Sequence, residues 1–308
     1  MNEVETSDKR PKRGLLLALI VTMRPHQWIK NLFVLIPLVF AQKLGPVSDW
    51  TQLDGAIVQS CIAFGLFCLA SGLVYLLNDL VDRDRDRAHP TKKHRPIASG
   101  DLPSGAAAGA LTVGLVVVEV TAVLVSPPLA AILSSYILLN VAYSFRLKNV
   151  VIADIMSIAL GFLLRVLGGA LAAGVPVTMW LYTCTFLLAC FLALGKRRQE
   201  LRQLGDNTQS TRQVLTSYRL KYVDWGIIGT GMATICSYSF YCFSEHAANQ
   251  FGTHNLGWTI PFLLVGFGRF LQLVRDANDS PTEAMIRDKI FILNLVLWGA
   301  TVGGVIYG

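Results

Sequence analysis

The chain has 308 residues, of which 53% are apolar and only 15% charged, with a formal net charge of +7. So small a polar share excludes an ordinary soluble domain, and the excess positives, scattered between apolar runs, read as membrane topology and not as a nucleic-acid patch. Six cysteines all lie in apolar segments without a C-x-x-C pair, which excludes a disulfide or zinc framework.

Residues 1–13 are polar and basic, and Gly14–Met23 is apolar but short for a crossing. No small-residue cleavage site follows, so 1–24 reads as a basic tail and interfacial segment, ahead of one domain over 25–308. Pro25 suits a first helical turn, and the first crossing is expected over Pro25–Gln42. Its entry, with Lys30 and Asn31, is either an interfacial anchor or a phosphate-binding rim. Further crossings are expected over Leu53–Leu77, Ser104–Val125, Leu129–Phe145, Val150–Ala173, Thr178–Gly195, Val223–Phe243, Trp258–Val274 and Ile290–Tyr307. Ser280-Pro281-Thr282-Glu283 has capping-box spacing before the last of these. The fold class is therefore all-α, a polytopic membrane protein with nine transmembrane helices. With the N-terminus in the cytosol, 25 of the 27 Lys and Arg residues fall on the cytosolic side. Both long charged loops, Asn78–Gly100 and Lys196–Lys221, lie there too.

The stretch Asn78–Gly100 holds an acidic cluster and then a basic one. If Asn78–Asp86 continues the preceding helix, Asn78, Asp82 and Asp86 stand four apart, about 400° of rotation per step, and share one face. Asp84 falls opposite. Oxygen ligands on one face suit Mg²⁺, which needs one or two carboxylates plus substrate phosphates. Lys92, Lys93 and Arg95 can hold the remaining phosphate charge. The plainer reading is a solvated charge run that ends a membrane helix. Asp154, one turn inside the fifth crossing, is a costly intramembrane carboxylate and hence a functional candidate. Tyr143 and Lys148 flank it across the turn. Arg165 lies deeper on nearly the same face, as a structural arginine bonded to backbone carbonyls or as a substrate contact.

The assembled pattern resembles the UbiA superfamily of intramembrane prenyltransferases. The resemblance implies nine helices around a lateral cavity, with Mg²⁺ on aspartate motifs. Asn78-x3-Asp82-x3-Asp86 matches the first motif. The second usually has two aspartates four apart, whereas Asp154 has Val150 before it and Ile158 after it. That departure, with RPHQWIKN at Arg24–Asn31, AHPTKKHRPIASG at Ala88–Gly100, YSFRLK before Asp154 and FLALGKRRQEL at Phe191–Leu201, resembles the decaprenyl-phosphate phosphoribosyltransferase branch.

The branch implies transfer of 5-phosphoribose from 5-phosphoribosyl 1-diphosphate to a polyprenyl phosphate. Diphosphate is released, and the product feeds cell-wall arabinan. It further implies a bacterial cell membrane, a site facing the cytosol, contact with membrane lipids and no nucleic acid; the oligomeric state, a homo-oligomer included, stays open. In these terms Asp82 and Asp86, with Asn78, hold Mg²⁺ on the leaving diphosphate, and Asp154 steadies the ribose. Lys92, Lys93, Arg95, Lys196 and Arg197 are candidates for the donor's phosphates. Lys30 and Lys148 are candidates for the acceptor phosphate or the donor, with Asn31 and Tyr143 beside them. The rival expectations are a Mg²⁺-dependent transfer of a prenyl chain to an aromatic ring, a transporter, and a membrane scaffold.

Overall fold

The computed structural model describes residues 13–42, 55–204, 219–276 and 281–308. All regular secondary structure among them is helical. The chain runs through α1 (Leu15–Met23), a 3₁₀ stretch (Pro25–Val34), α2 (Ile36–Phe40), α3 (Gly55–Val81), α4 (Arg83–Arg87), α5 (Pro96–Ser99), α6 (Ser104–Val125), α7 (Pro127–Phe145) and α8 (Val151–Ala173). It continues through α9 (Met179–Leu204), α10 (Leu220–Cys242), α11 (Glu245–Phe251), α12 (Ile260–Asp276), α13 (Pro281–Arg287) and α14 (Lys289–Tyr307). Lys43, the start of the second expected crossing, the loop after Leu204 and Ser280 of the capping box lie outside the described residues.

Seven helical segments are long and apolar enough to cross a membrane: α3, α6, α7, α8, α9, Asn255–Arg275 and α14. The chain is a multi-pass membrane protein. The expected seventh crossing is one 23-residue helix, α10, which is less apolar than the seven. The expected first crossing is not one α-helix. Arg24 sits at φ 51°, in the left-handed region, and separates α1 from the 3₁₀ stretch that leads to α2. Pro25 explains the break, since a proline disfavours the right-handed helical conformation in the residue before it and donates no N–H. Nor is α1 merely interfacial: Ala18 is fully buried in the core that α1 shares with α3, α6 and α7. The boundary expected at residue 24 thus falls within packed structure.

Apolar side chains also point outward. Val113, Val116, Val120 and Leu124 on α6, and Leu293 and Val296 on α14, are exposed, as a lipid-facing surface requires. Inside, Gly169 of α8 lies flush against the 3₁₀ stretch: a Cβ there would collide with the carbonyl of Val34. Small residues permit such close backbone approach between membrane helices. One core binds α1, α3, α5, α6 and α7, and a second binds α9, α10 and α12. Between them lies a cavity of about 1230 Å³, walled by residues 24–41 and by α3, α7, α8, α9, α10, α12 and α14.

Candidate active site

The polar end of the cavity is built on the C-terminus of α3. The helix ends at Val81, yet the Asp82 N–H still donates to the Asn78 carbonyl at 2.9 Å, and the Asp86 N–H to the Asp82 carbonyl at 2.8 Å. The four-residue rise therefore survives the break. Asn78 and Asp82 line the cavity as expected. Their side chains make no hydrogen bond to a described residue, which leaves hard oxygen donors facing the space. Among the described residues no group of three or more His, Cys, Asp or Glu could hold a metal. A cation here would draw further oxygens from a ligand.

Asp86 departs from the expectation. It is 3% exposed, does not line the cavity, and accepts from Arg95 Nη1 at 2.7 Å. The residue that sequence reading passed over is Asp79, a cavity-lining carboxylate that accepts from Arg24 at 2.7 Å and Arg95 at 3.1 Å. A signal for it was present: Asp79, Asp82 and Asp86 stand at i, i+3 and i+7, a tighter single stripe than the fours. Arg24 also stacks over the Tyr75 ring, 4.8 Å from its centroid. Asp84 is 75% exposed and pairs with Arg83 at 2.9 Å, whose guanidinium holds its carboxyl below the ordinary range.

The basic residues divide. Lys30, Lys92, Arg95, Lys148 and Lys196 line the cavity; Lys93 is exposed outside it. Lys196 and Arg197 are not on a loop, because α9 runs on to Leu204. Successive helical residues differ by about 100°, so the two separate. Lys196 faces the cavity. Arg197 is fully buried, with Nε 2.8 Å from Asp154 Oδ2 and Nη1 against Glu200. That approach is an ion pair by distance; the Nε–H is not aligned for a hydrogen bond.

Asp154 is itself fully buried and does not line the cavity. Its other oxygen accepts from the Tyr143 hydroxyl at 2.9 Å, and Tyr143 does line it. Asp154 is thus linked to the cavity wall through Tyr143, and Arg197 does not line the cavity.

Asn31 is also structural. It is fully buried, accepts from Arg165 Nε at 2.7 Å and donates to Ser71 Oγ at 3.1 Å. Arg165 donates in addition to the Gly161 carbonyl at 3.0 Å and to Tyr136 Oη at 2.7 Å. The expected backbone bond to this arginine is present, and its guanidinium is anchored on three sides. Beyond it the cavity becomes apolar and aromatic, with Trp180, Tyr238, Tyr241 and Trp298 in its wall.

The sequence profile of the UbiA prenyltransferase family matches residues 32–295. A decaprenyl-phosphate phosphoribosyltransferase of Mycolicibacterium smegmatis is 33% identical, over 100% of this chain and 98% of its own length. Another protein of that name, from Corynebacterium glutamicum, is 30% identical over 96% of this chain and 89% of its own. The solved structure of a UbiA homolog from Archaeoglobus fulgidus bound to GPP and Mg²⁺ superposes with a TM-score of 0.67 at 17% identity, covering 94% of this chain and 99% of that one. The chain belongs to the UbiA prenyltransferase family.

Proposed function

We propose that the chain transfers 5-phosphoribose from 5-phosphoribosyl 1-diphosphate to a polyprenyl phosphate, releasing diphosphate. The observation that carries the reading is one cavity with two unlike ends. One end gathers Asn78, Asp79, Asp82, Lys92, Arg95 and Lys148; the other is apolar and aromatic. A phosphorylated sugar suits the first and a prenyl tail the second. The whole-length relatives named for this reaction support the assignment.

The acceptor phosphate is already a nucleophile, so no strong base is required. An oxygen of it bonds to ribose C1 as the bond from C1 to the diphosphate oxygen breaks, and the electron pair leaves with diphosphate. A divalent cation, Mg²⁺ by its liking for a few carboxylates with phosphate oxygens and water, would neutralise the departing charge. Asp82 and Asn78 fit it, because their oxygens face the cavity without a described partner. Arg24 and Arg95 hold Asp79 in place beside them. Tyr143, which donates to Asp154 and lines the cavity, is the residue we assign to the ribose. The Lys and Arg distribution supports nine crossings, a cytosolic N-terminus and a mouth facing the cytosol of a bacterial cell membrane.

The test is membranes or purified protein with labelled phosphoribosyl diphosphate and a polyprenyl phosphate. A lipid-extractable labelled sugar phosphate is expected. Prenylation of an aromatic acid, with the phosphoribosyl donor ignored, would overturn the reading.

A further inference from the structure

We infer that Lys30 and Lys196 form the seat of the acceptor's phosphate monoester, separate from the place beside Asn78 and Asp82 where the donor's diphosphate binds. The inference rests on the phosphoribosyl-transfer reading and divides its basic residues between two ligands.

Lys30 lines the cavity and makes no hydrogen bond or ion pair with a described residue. The charged groups acting on it are Lys196, Arg165 and Arg24, all cations. Arg165 is engaged by Asn31, Gly161 and Tyr136, and Arg24 by Asp79. Lys196 Nζ lies 3.9 Å from Glu200 Oε1 and lines the same cavity. Among the described residues no carboxylate pairs with Lys30. An ammonium placed among cations in a partly desolvated wall is costly until an anion joins it. The mouth differs. There Arg24 and Arg95 are already balanced by Asp79 and Asp86, which suits a diphosphate that arrives with a metal to offset its charge. A lipid phosphate brings no metal and draws on side-chain cations alone, of which Lys30 has no partner among the described residues.

Position agrees. Asn31, next to Lys30, bonds Ser71, seven residues before Asn78 on α3, or about 10 Å further in along the helix. Ile29, Leu32, Phe33 and Ile36 on the same stretch also line the cavity. A cation beside an apolar wall suits a phosphate on a prenyl chain; phosphoribosyl diphosphate has no apolar part. A nucleophile held inward and a leaving group held at the mouth lie on opposite sides of the ribose, as displacement at C1 requires.

The experiment uses purified full-length protein and two readouts: binding of dodecyl phosphate, with dodecanol as control, and KM for each substrate. Lys30→Met should weaken dodecyl phosphate about tenfold or more and raise acceptor KM alike, while donor KM stays within about twofold. Lys196→Met should act in the same direction. Lys30→Arg should keep most of the affinity, and dodecanol binding should not move. An unchanged melting temperature in Lys30→Arg shows that the position tolerates substitution. If Lys30→Met raises donor KM and leaves dodecyl phosphate binding intact, the subsite is the donor's and the inference fails, although the reaction stands. Equal loss for both ligands also overturns it. If the wild type transfers no phosphoribose, yet Lys30→Met still abolishes dodecyl phosphate binding, the reaction assignment fails and the lipid-phosphate seat survives.

Discussion

The pair Asp154–Arg197 separates a structural charge from a substrate-binding one. Both side chains are fully buried, 2.8 Å apart, and neither lines the cavity. Arg197→Met removes the buried cation that faces Asp154, a fully buried carboxylate that also accepts from Tyr143. Breaking a buried pair by deleting one partner costs about 3–5 kcal/mol. Domains are commonly stable by about 5–15 kcal/mol, so the variant should keep its fold but melt earlier, on the order of 10 °C. Asp154→Leu combined with Arg197→Met removes both charges, and such exchanges are often neutral. The double variant should therefore recover most of the lost stability. The assay is thermal denaturation of detergent-purified protein, with donor KM measured in parallel. A wild-type melting temperature for Arg197→Met, together with a raised donor KM, would refute the reasoning and return Arg197 to the substrate.

Asp82→Asn should abolish turnover while folded yield holds, whereas Asp84→Asn, at an exposed carboxylate, should be mild; equal loss in steady-state assays would break the distinction. Gly169→Ala should sharply reduce folded yield in size-exclusion profiles, because its Cβ meets the Val34 backbone, also 2.7 Å from the carbonyl carbon; Gly299→Ala, with nothing within 4 Å, is the tolerated control. Asp288 caps α14, accepting from the Phe291 N–H at 2.7 Å and from Arg269 at 3.1 and 2.6 Å, and the Arg269 bonds, more than the cap, hold its carboxyl below the ordinary range. Its folded pKa lies under the unfolded one, so its stabilisation is full above about pH 4 and is lost as pH falls through the lowered value; Asp288→Ala should cost about 1 kcal/mol at pH 7, a gap in melting that closes in acid. Cysteine labelling should find Asp101 accessible from the cytosol and Asn249 from the other side, and cytosolic labelling of Asn249 would reverse the topology.

Much of the chain was legible before folding. Apolar runs of crossing length, and prolines and glycines between them, placed seven helices to within a few residues, because in lipid every backbone group must bond within its own segment. The rhythm from Asn78 to Asp86 placed oxygen donors at a helix end. What one-dimensional spacing could not decide was how each face is spent. Asp79 and Asp82 both line the cavity, while Asp86 turns to Arg95. Lys196 faces the cavity while its neighbour Arg197 is buried against Asp154. Asn31 braces Arg165 from 134 positions away. Periodicity reports the relative angle of side chains on one helix. Whether a given angle meets solvent, a ligand or a buried countercharge depends on which other helix lies there, and only the tertiary packing of α3, α8 and α9 decided that.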